Sequence, residues 1–126
     1  MLQNRRAYPT IPASDIERAK AWYREKLGVS PASEDPAGVR YALGGGTGFQ
    51  LYPTGVAGQA PNTLMVFSSE DIDGDVRTLR GRGVVFEDYD FPGLKTVNGI
   101  ATLGAVHAAW FRDSEGNILA IGDGPN

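Results

Sequence analysis

The chain has no cysteine and a single histidine, His107, among its 126 residues. Without thiols, disulfides, cysteine nucleophiles and zinc-finger sites are excluded, and one imidazole cannot supply a one-chain site that needs two or more histidine ligands. A Ser-His-Asp triad stays arithmetically open. No G-x-S-x-G nucleophile elbow occurs, however, and the serines fall at apparent caps and turns. Long apolar runs are also lacking: none approaches the roughly 20 residues of a membrane-spanning helix. The opening Met1-Leu2-Gln3-Asn4-Arg5-Arg6 carries two basic residues with no apolar stretch behind them, so no secretory leader is read and a cytoplasmic location is expected. Positive charge is in short supply too. Twelve Lys and Arg face fifteen Asp and Glu for a net charge of −3, the wrong sign for a protein that lives on nucleic acid. Neutral or cationic ligands suit that balance better.

What is present is a globular composition, 41% apolar and 21% charged, which argues against disorder and fibrous repeats. The length suits one compact domain. Ala7-Tyr8-Pro9-Thr10-Ile11 reads as a strand, and Ser14-Asp15-Ile16-Glu17 as a capping box that opens a helix. Ile16, Ala19, Tyr23 and Leu27 recur at helical spacing to form a buried stripe widened by Trp22, and Gly28 stands where a left-handed cap is wanted. Residues 30–38 read as loop. Val39-Arg40-Tyr41-Ala42-Leu43 and Phe49-Gln50-Leu51-Tyr52 then read as strands joined by the turn Gly44-Gly45-Gly46-Thr47-Gly48. That turn is no phosphate loop, since no Lys-Ser/Thr follows and it opens no helix.

The second half repeats the order. Thr63-Leu64-Met65-Val66-Phe67 is a strand, residues 68–71 lead into a helix carried by Ile72, Val76 and Leu79, and Gly81 and Gly83 close it. Ala108-Ala109-Trp110-Phe111-Arg112 and Asn117-Ile118-Leu119-Ala120-Ile121 form a hairpin around Asp113-Ser114-Glu115-Gly116. The offset from Asp15 to Asp71 (71 − 15 = 56) nearly equals that from Gly28 to Gly83 (83 − 28 = 55), as an internal duplication requires. From Gln50 to Ala120 it grows (120 − 50 = 70), which places an insertion in residues 86–104. So long a connection in a compact domain reads as a binding lid.

Taken together, PASDIERAKAWYREKLG followed by a hairpin, and AAWFRDSEGNILAI near the C-terminus, resemble the vicinal oxygen chelate superfamily of glyoxalases, extradiol dioxygenases and bleomycin-resistance proteins, over nearly the whole chain. The resemblance implies an α+β fold in a single domain spanning 1–126. Two βαβββ modules, about 5–55 and 62–124, form curved mixed sheets around a cleft, usually in a homodimer. It also implies where a metal would sit in the family's metalloenzymes, on the first and last strand of each module. Those positions fall here on Tyr8, Leu64, Gln50 and Ala120, which offer a phenol, an amide and two apolar groups where divalent ions want several imidazoles or carboxylates. The expectation is a chain with no metal and no other cofactor, without metal-dependent glyoxalase or dioxygenase activity.

Strand alternation, with Phe111 opposite Leu119 and Trp110 opposite Ala120, assigns the cleft to Tyr8, Thr10, Tyr41, Gln50, Tyr52, Leu64, Val66, Trp110 and Ala120. Phe91 and Leu94 on the insertion are expected to close over Trp110. His107 shares parity with Phe111 and reads either as a structural histidine or as a base or ligand contact. Glu87, Asp88 and Asp90 read either as a solvated loop or as an attractor for a cationic ligand. Aromatic walls with a few polar tips fit a metal-free small-molecule binding protein of the bleomycin-resistance type, sequestering an aromatic or amphipathic compound. Two alternatives stay open: a metal-independent isomerase or lyase using Tyr8, Tyr41 or a loop carboxylate, and a non-catalytic interaction module. No nucleic-acid or membrane partner is expected.

Overall fold

Residues 1–125 are described by a computed structural model. The first half comprises β1 (Thr10–Ala13), α1 (Ile16–Trp22) continuing through a π-helical turn (Tyr23–Leu27), β2 (Ser33–Asp35), β3 (Gly38–Ala42) and β4 (Gly48–Pro53), in a sheet of order β1-β4-β3-β2. β1 begins later than the expected Ala7. Pairing with β4 opens at Thr10 opposite Gln50, just after Pro9, whose ring nitrogen has no N–H to give a ladder but whose carbonyl accepts from the Gln50 N–H at 3.0 Å. The helix is capped by Asp15 rather than Ser14: the Asp15 carboxylate accepts from the Arg18 N–H at 3.0 Å. Ser14 has another partner, described below. Gly28 ends the helix with φ of 70°, a left-handed conformation that a side chain would strain. The expected loop at 30–38 contains the short exposed edge strand β2.

The second half comprises β5 (Thr63–Ser68), α2 (Ile72–Gly81), β6 (Asp90–Phe91), β7 (Leu94–Val97), β8 (Ile100–Leu103), β9 (Val106–Arg112) and β10 (Ile118–Gly122), in the order β5-β10-β9-β8-β7-β6. Its last hairpin has the expected register, Phe111 opposite Leu119 and Trp110 opposite Ala120. The insertion is not a lid. It is a meander that widens the sheet, turning at Pro92-Gly93 and again at Asn98-Gly99, where φ of 53° and 80° supplies the two left-handed residues of a tight hairpin. The second module therefore has the order of the first with β6 and β7 added at its outer edge.

Each sheet packs one face toward the helices, and the buried side chains of both halves form one cluster. Tyr23 of α1 lies 5.6 Å from Phe49, Phe49 lies 6.5 Å from Phe67, and Trp22 stacks on Phe111 at 6.2 Å between ring centroids. A polar clasp accompanies these contacts. The buried Glu115 carboxylate accepts from the Arg18 Nε (2.9 Å), the Asp15 N–H (2.8 Å) and the Ser14 hydroxyl (3.1 Å), so the turn of the last hairpin holds the start of α1. Burial alone would push that carboxyl up, but the hydrogen bonds from Arg18, Asp15, Ser114 and Ser14 outweigh it and bring the pKa down to about 2. Asn117 Nδ2 donates to the Pro12 carbonyl at 2.7 Å, and Asn117 Oδ1 accepts from the Gly58 N–H of the connecting segment at 3.1 Å.

Candidate functional site

The face of the second sheet turned away from the helices carries a continuous aromatic surface. Register places Val66, Ala120, Trp110, Ala108, Ala101, Thr96, Leu94 and Phe91 on that one face, strand by strand. Tyr89 joins them: its ring meets Trp110 edge-on at 5.5 Å and stacks on Phe91 at 5.6 Å. Trp110 Nε1 donates to Thr63 Oγ1 at 3.0 Å, which fixes the plane of the indole. Ala120, buried and small, lies directly opposite Trp110. Burial and the nearby Glu87 raise the Tyr89 pKa, so its hydroxyl is a neutral hydrogen-bonding group at pH 7.

A β-bulge decides who joins Trp110. Ile118 pairs with Thr63 and Leu119 with Met65, so Leu64 is the extra residue. Thr63 consequently takes the position that strict alternation assigned to Leu64, and Leu64 packs against the helix-side core. Phe91 and Leu94 stand on the same sheet face as Trp110 but on the two outer strands, Phe91 linked to the indole through Tyr89, rather than as a cover over it.

The sites assigned on the first sheet separate into three groups. Gln50 and Tyr52 share the face away from the helices with their partners Thr10 and Pro12, and Arg40 stands there opposite Gln50. Tyr41 does not. Its partner is Phe49, on which it stacks at 4.6 Å, and it lies 6.0 Å from Tyr23, so it belongs to the helix-side core. Burial pushes its hydroxyl up to about 12, which makes it no acid or base for a ligand on the opposite face. Tyr8 precedes β1 and is exposed, and with Tyr41 and Arg40 it lines a cavity of about 250 Å³. The Trp110 indole meets Thr63 and Tyr89, both from its own half of the chain.

The positions where a metal would be expected do not fit one. Tyr8 lies outside the strand, Leu64 and Ala120 are apolar, and Gln50, whose Nε2 donates to the Ala37 carbonyl at 3.1 Å, offers one neutral amide oxygen where a divalent ion needs several donors. Among the described residues no group of three or more His, Asp or Glu side chains is placed to hold an ion. His107 is half-exposed near the start of β9; its Nδ1 lies 2.8 Å from Asp123 Oδ2 and its backbone N–H donates to Asp123 Oδ1. That pair fastens the end of β10 to β9. Glu87 pairs with Arg112 at 2.9 Å and Asp88 accepts from the buried Thr96 hydroxyl at 3.1 Å, so both have intramolecular partners. Tyr89 and Thr63 were outside the expected site. The aromatic-acidic alternation of residues 86–91 was the available sign of the first; no local sign marks the second.

Residues 5–121 match the family described as the Glyoxalase/Bleomycin resistance protein/Dioxygenase superfamily. The chain belongs to that superfamily. Solved structures agree in fold: the superfamily member from Enterococcus faecalis described as a glyoxalase family protein superposes with TM-score 0.71 at 20% identity, covering 98% of this chain and 100% of that one. TnmS3, an antibiotic binding protein from Streptomyces sp. CB03234, gives 0.68 at 21% identity, covering 97% and 98%. FosX, a fosfomycin resistance protein from Listeria monocytogenes, gives 0.66 at 14% identity, covering 95% and 93%. At these identities the likeness shows the fold. No curated protein matches the chain by sequence. Among the described residues no helix is long and apolar enough to cross a membrane.

Proposed function

We propose that this superfamily member is a metal-free binding protein that sequesters a flat or amphipathic small molecule on the Trp110 face and returns it unchanged. The observation that carries the reading is the fixed indole. Its N–H is held by Thr63, its edge is set by Tyr89, and the ring itself is only partly buried, which leaves indole surface for a ligand to stack on. Nothing on that face pairs a nucleophile with a base, and the Tyr89 and Thr63 hydroxyls suit recognition better than proton transfer. TnmS3 binds an antibiotic, which is the same kind of task on the same fold.

The reading includes a homodimer. Val66, Phe91 and Leu103 stand on the Trp110 face and are exposed, an apolar surface of the kind that a second copy covers. A second chain there would provide the other wall of the site. The deciding experiment is a thermal-shift screen with polycyclic aromatic compounds, followed by mass spectrometry of the bound compound. Stabilisation with stoichiometric recovery of unchanged compound supports sequestration, and a chemically altered product would overturn it in favour of catalysis.

A further inference from the structure

On the opposite side of the molecule, between the end of the π-helical turn and α2, lies a cavity of about 390 Å³. It is remote in kind from the aromatic face: its floor is Phe67, Phe111 and Ile121, the helix-facing residues of β5, β9 and β10, and Leu79 closes one wall. That volume falls in the range of small-molecule pockets. Its mouth is polar and carries its charge unevenly. Asp75 and Thr78 on α2 and Arg82, the residue that caps its C-terminus, border it in that order, with Asp75 and Arg82 about 10 Å apart by helical rise. Asp75 already accepts from the Ser69 hydroxyl at 2.6 Å. The Arg82 guanidinium lies over Gly28 with no carboxylate partner among the described residues; the bonds Arg82 makes are through its backbone, the N–H to the Leu79 carbonyl at 3.0 Å and the carbonyl to Lys26 Nζ at 2.7 Å.

We propose that this cavity is a second small-molecule site, independent of the Trp110 face, and that it takes an amphipathic carboxylate. The apolar chain lies on Phe67, Phe111 and Ile121, and the carboxylate pairs with Arg82, the fork geometry of a guanidinium suiting two carboxylate oxygens. Asp75 at the other end of the mouth repels the acid group and so sets its direction. An uncharged chain of the same length fills the floor and gains nothing from Arg82.

The two tryptophans separate the sites. Trp22 stacks on Phe111, whose ring lines the cavity, whereas Trp110 stands on the other face of the sheet. In Trp110→Phe the only emission comes from Trp22, and in Trp22→Phe only from Trp110. Titration with octanoate is expected to change Trp22 emission saturably and leave Trp110 emission flat, with octanol binding about tenfold more weakly, the effect of one charge-assisted pair. Arg82→Gln, confirmed folded by its melting curve, is expected to bring octanoate down to the octanol level while octanol itself is unaffected. Thr78→Phe, which fills the mouth, should abolish both. Equal binding of octanoate and octanol, indifference of octanoate to Arg82→Gln, a response confined to Trp110, or no saturable response at millimolar concentration each overturns the proposal. None of these outcomes bears on whether aromatic compounds bind the Trp110 face.

Discussion

The Tyr23 hydroxyl donates to Asp113 Oδ2 at 2.6 Å, joining the first helix to the last hairpin turn across 90 residues of sequence. Both groups are buried, and the same carboxylate accepts from the N–H groups of Glu115 and Asn117 and from Asn117 Nδ2, all at 2.9 Å. Burial and then the charge of Asp113 hold the Tyr23 pKa well above its ordinary value, so the phenol stays a donor at every pH the protein meets. Tyr23→Phe should keep the ring contacts with Phe49 and Tyr41 and lose only the hydroxyl. The expected cost is about 1–3 kcal/mol, the range for a buried acceptor that loses one partner, read as a lower denaturation midpoint with unchanged m-value.

Glu115 makes the clasp sensitive to acid. Its folded pKa of about 2 lies below the ordinary 4.5, so it contributes stability that is complete above pH of about 4.5 and is lost as pH falls toward about 2. The amount is on the order of 2 kcal/mol, because solvent on the half-exposed Arg18 takes back part of the full linkage value. Glu115→Gln should be less stable than the parent at pH 7 and should show a flatter decline between pH of about 4.5 and about 2. Parallel melting curves across that range check it; an acid limb as steep as the parent's would assign acid sensitivity elsewhere.

How far the fold could be read from sequence depended on whether local signals sufficed. Periodicity and glycine placed both helices and the Gly28 cap, and alternation placed Trp110 opposite Ala120. The same alternation failed for Tyr41 because the strand pairing runs Arg40 to Gln50, and a change of one residue turns every side chain over. It failed again at Leu64, where one bulged residue carries Thr63 to the site with no composition to announce it. The meander was readable in principle, since Pro92-Gly93 and Asn98-Gly99 are turn signals between β-prone residues. The Glu115 clasp was not, because its partners Ser14, Asp15 and Arg18 lie about a hundred residues away.

The proposed homodimer makes the exposed face a testable surface. Val66, Phe91 and Leu103 would each be covered in a symmetric dimer through the Trp110 sheet. Light scattering should give about twice 13.5 kDa, and Val66→Lys should shift the mass toward the monomer while the melting transition stays cooperative. A clean monomer for the parent at micromolar concentration would remove the dimer and any site shared between copies.

The aromatic platform can be tested at the hydrogen bond that orients it. Thr63→Val removes the acceptor of the indole N–H but keeps the shape of the side chain, so Trp110 stays beside Ala120 with its plane no longer fixed. A ligand bound only by the folded protein raises stability by about 2.7 kcal/mol at 100 times its dissociation constant, a shift that melting curves resolve. Trp110→Ala should remove most of that shift, at a stability cost below the roughly 3–5 kcal/mol of a fully buried tryptophan, because the indole is only partly buried. Thr63→Val should retain part of it, since stacking area survives while preorganisation is lost. The graded order, parent above Thr63→Val above Trp110→Ala, is what a stacking platform requires. If both variants hold the best aromatic compound as tightly as the parent, Trp110 is packing for the sheet and the ligand lies elsewhere on the molecule.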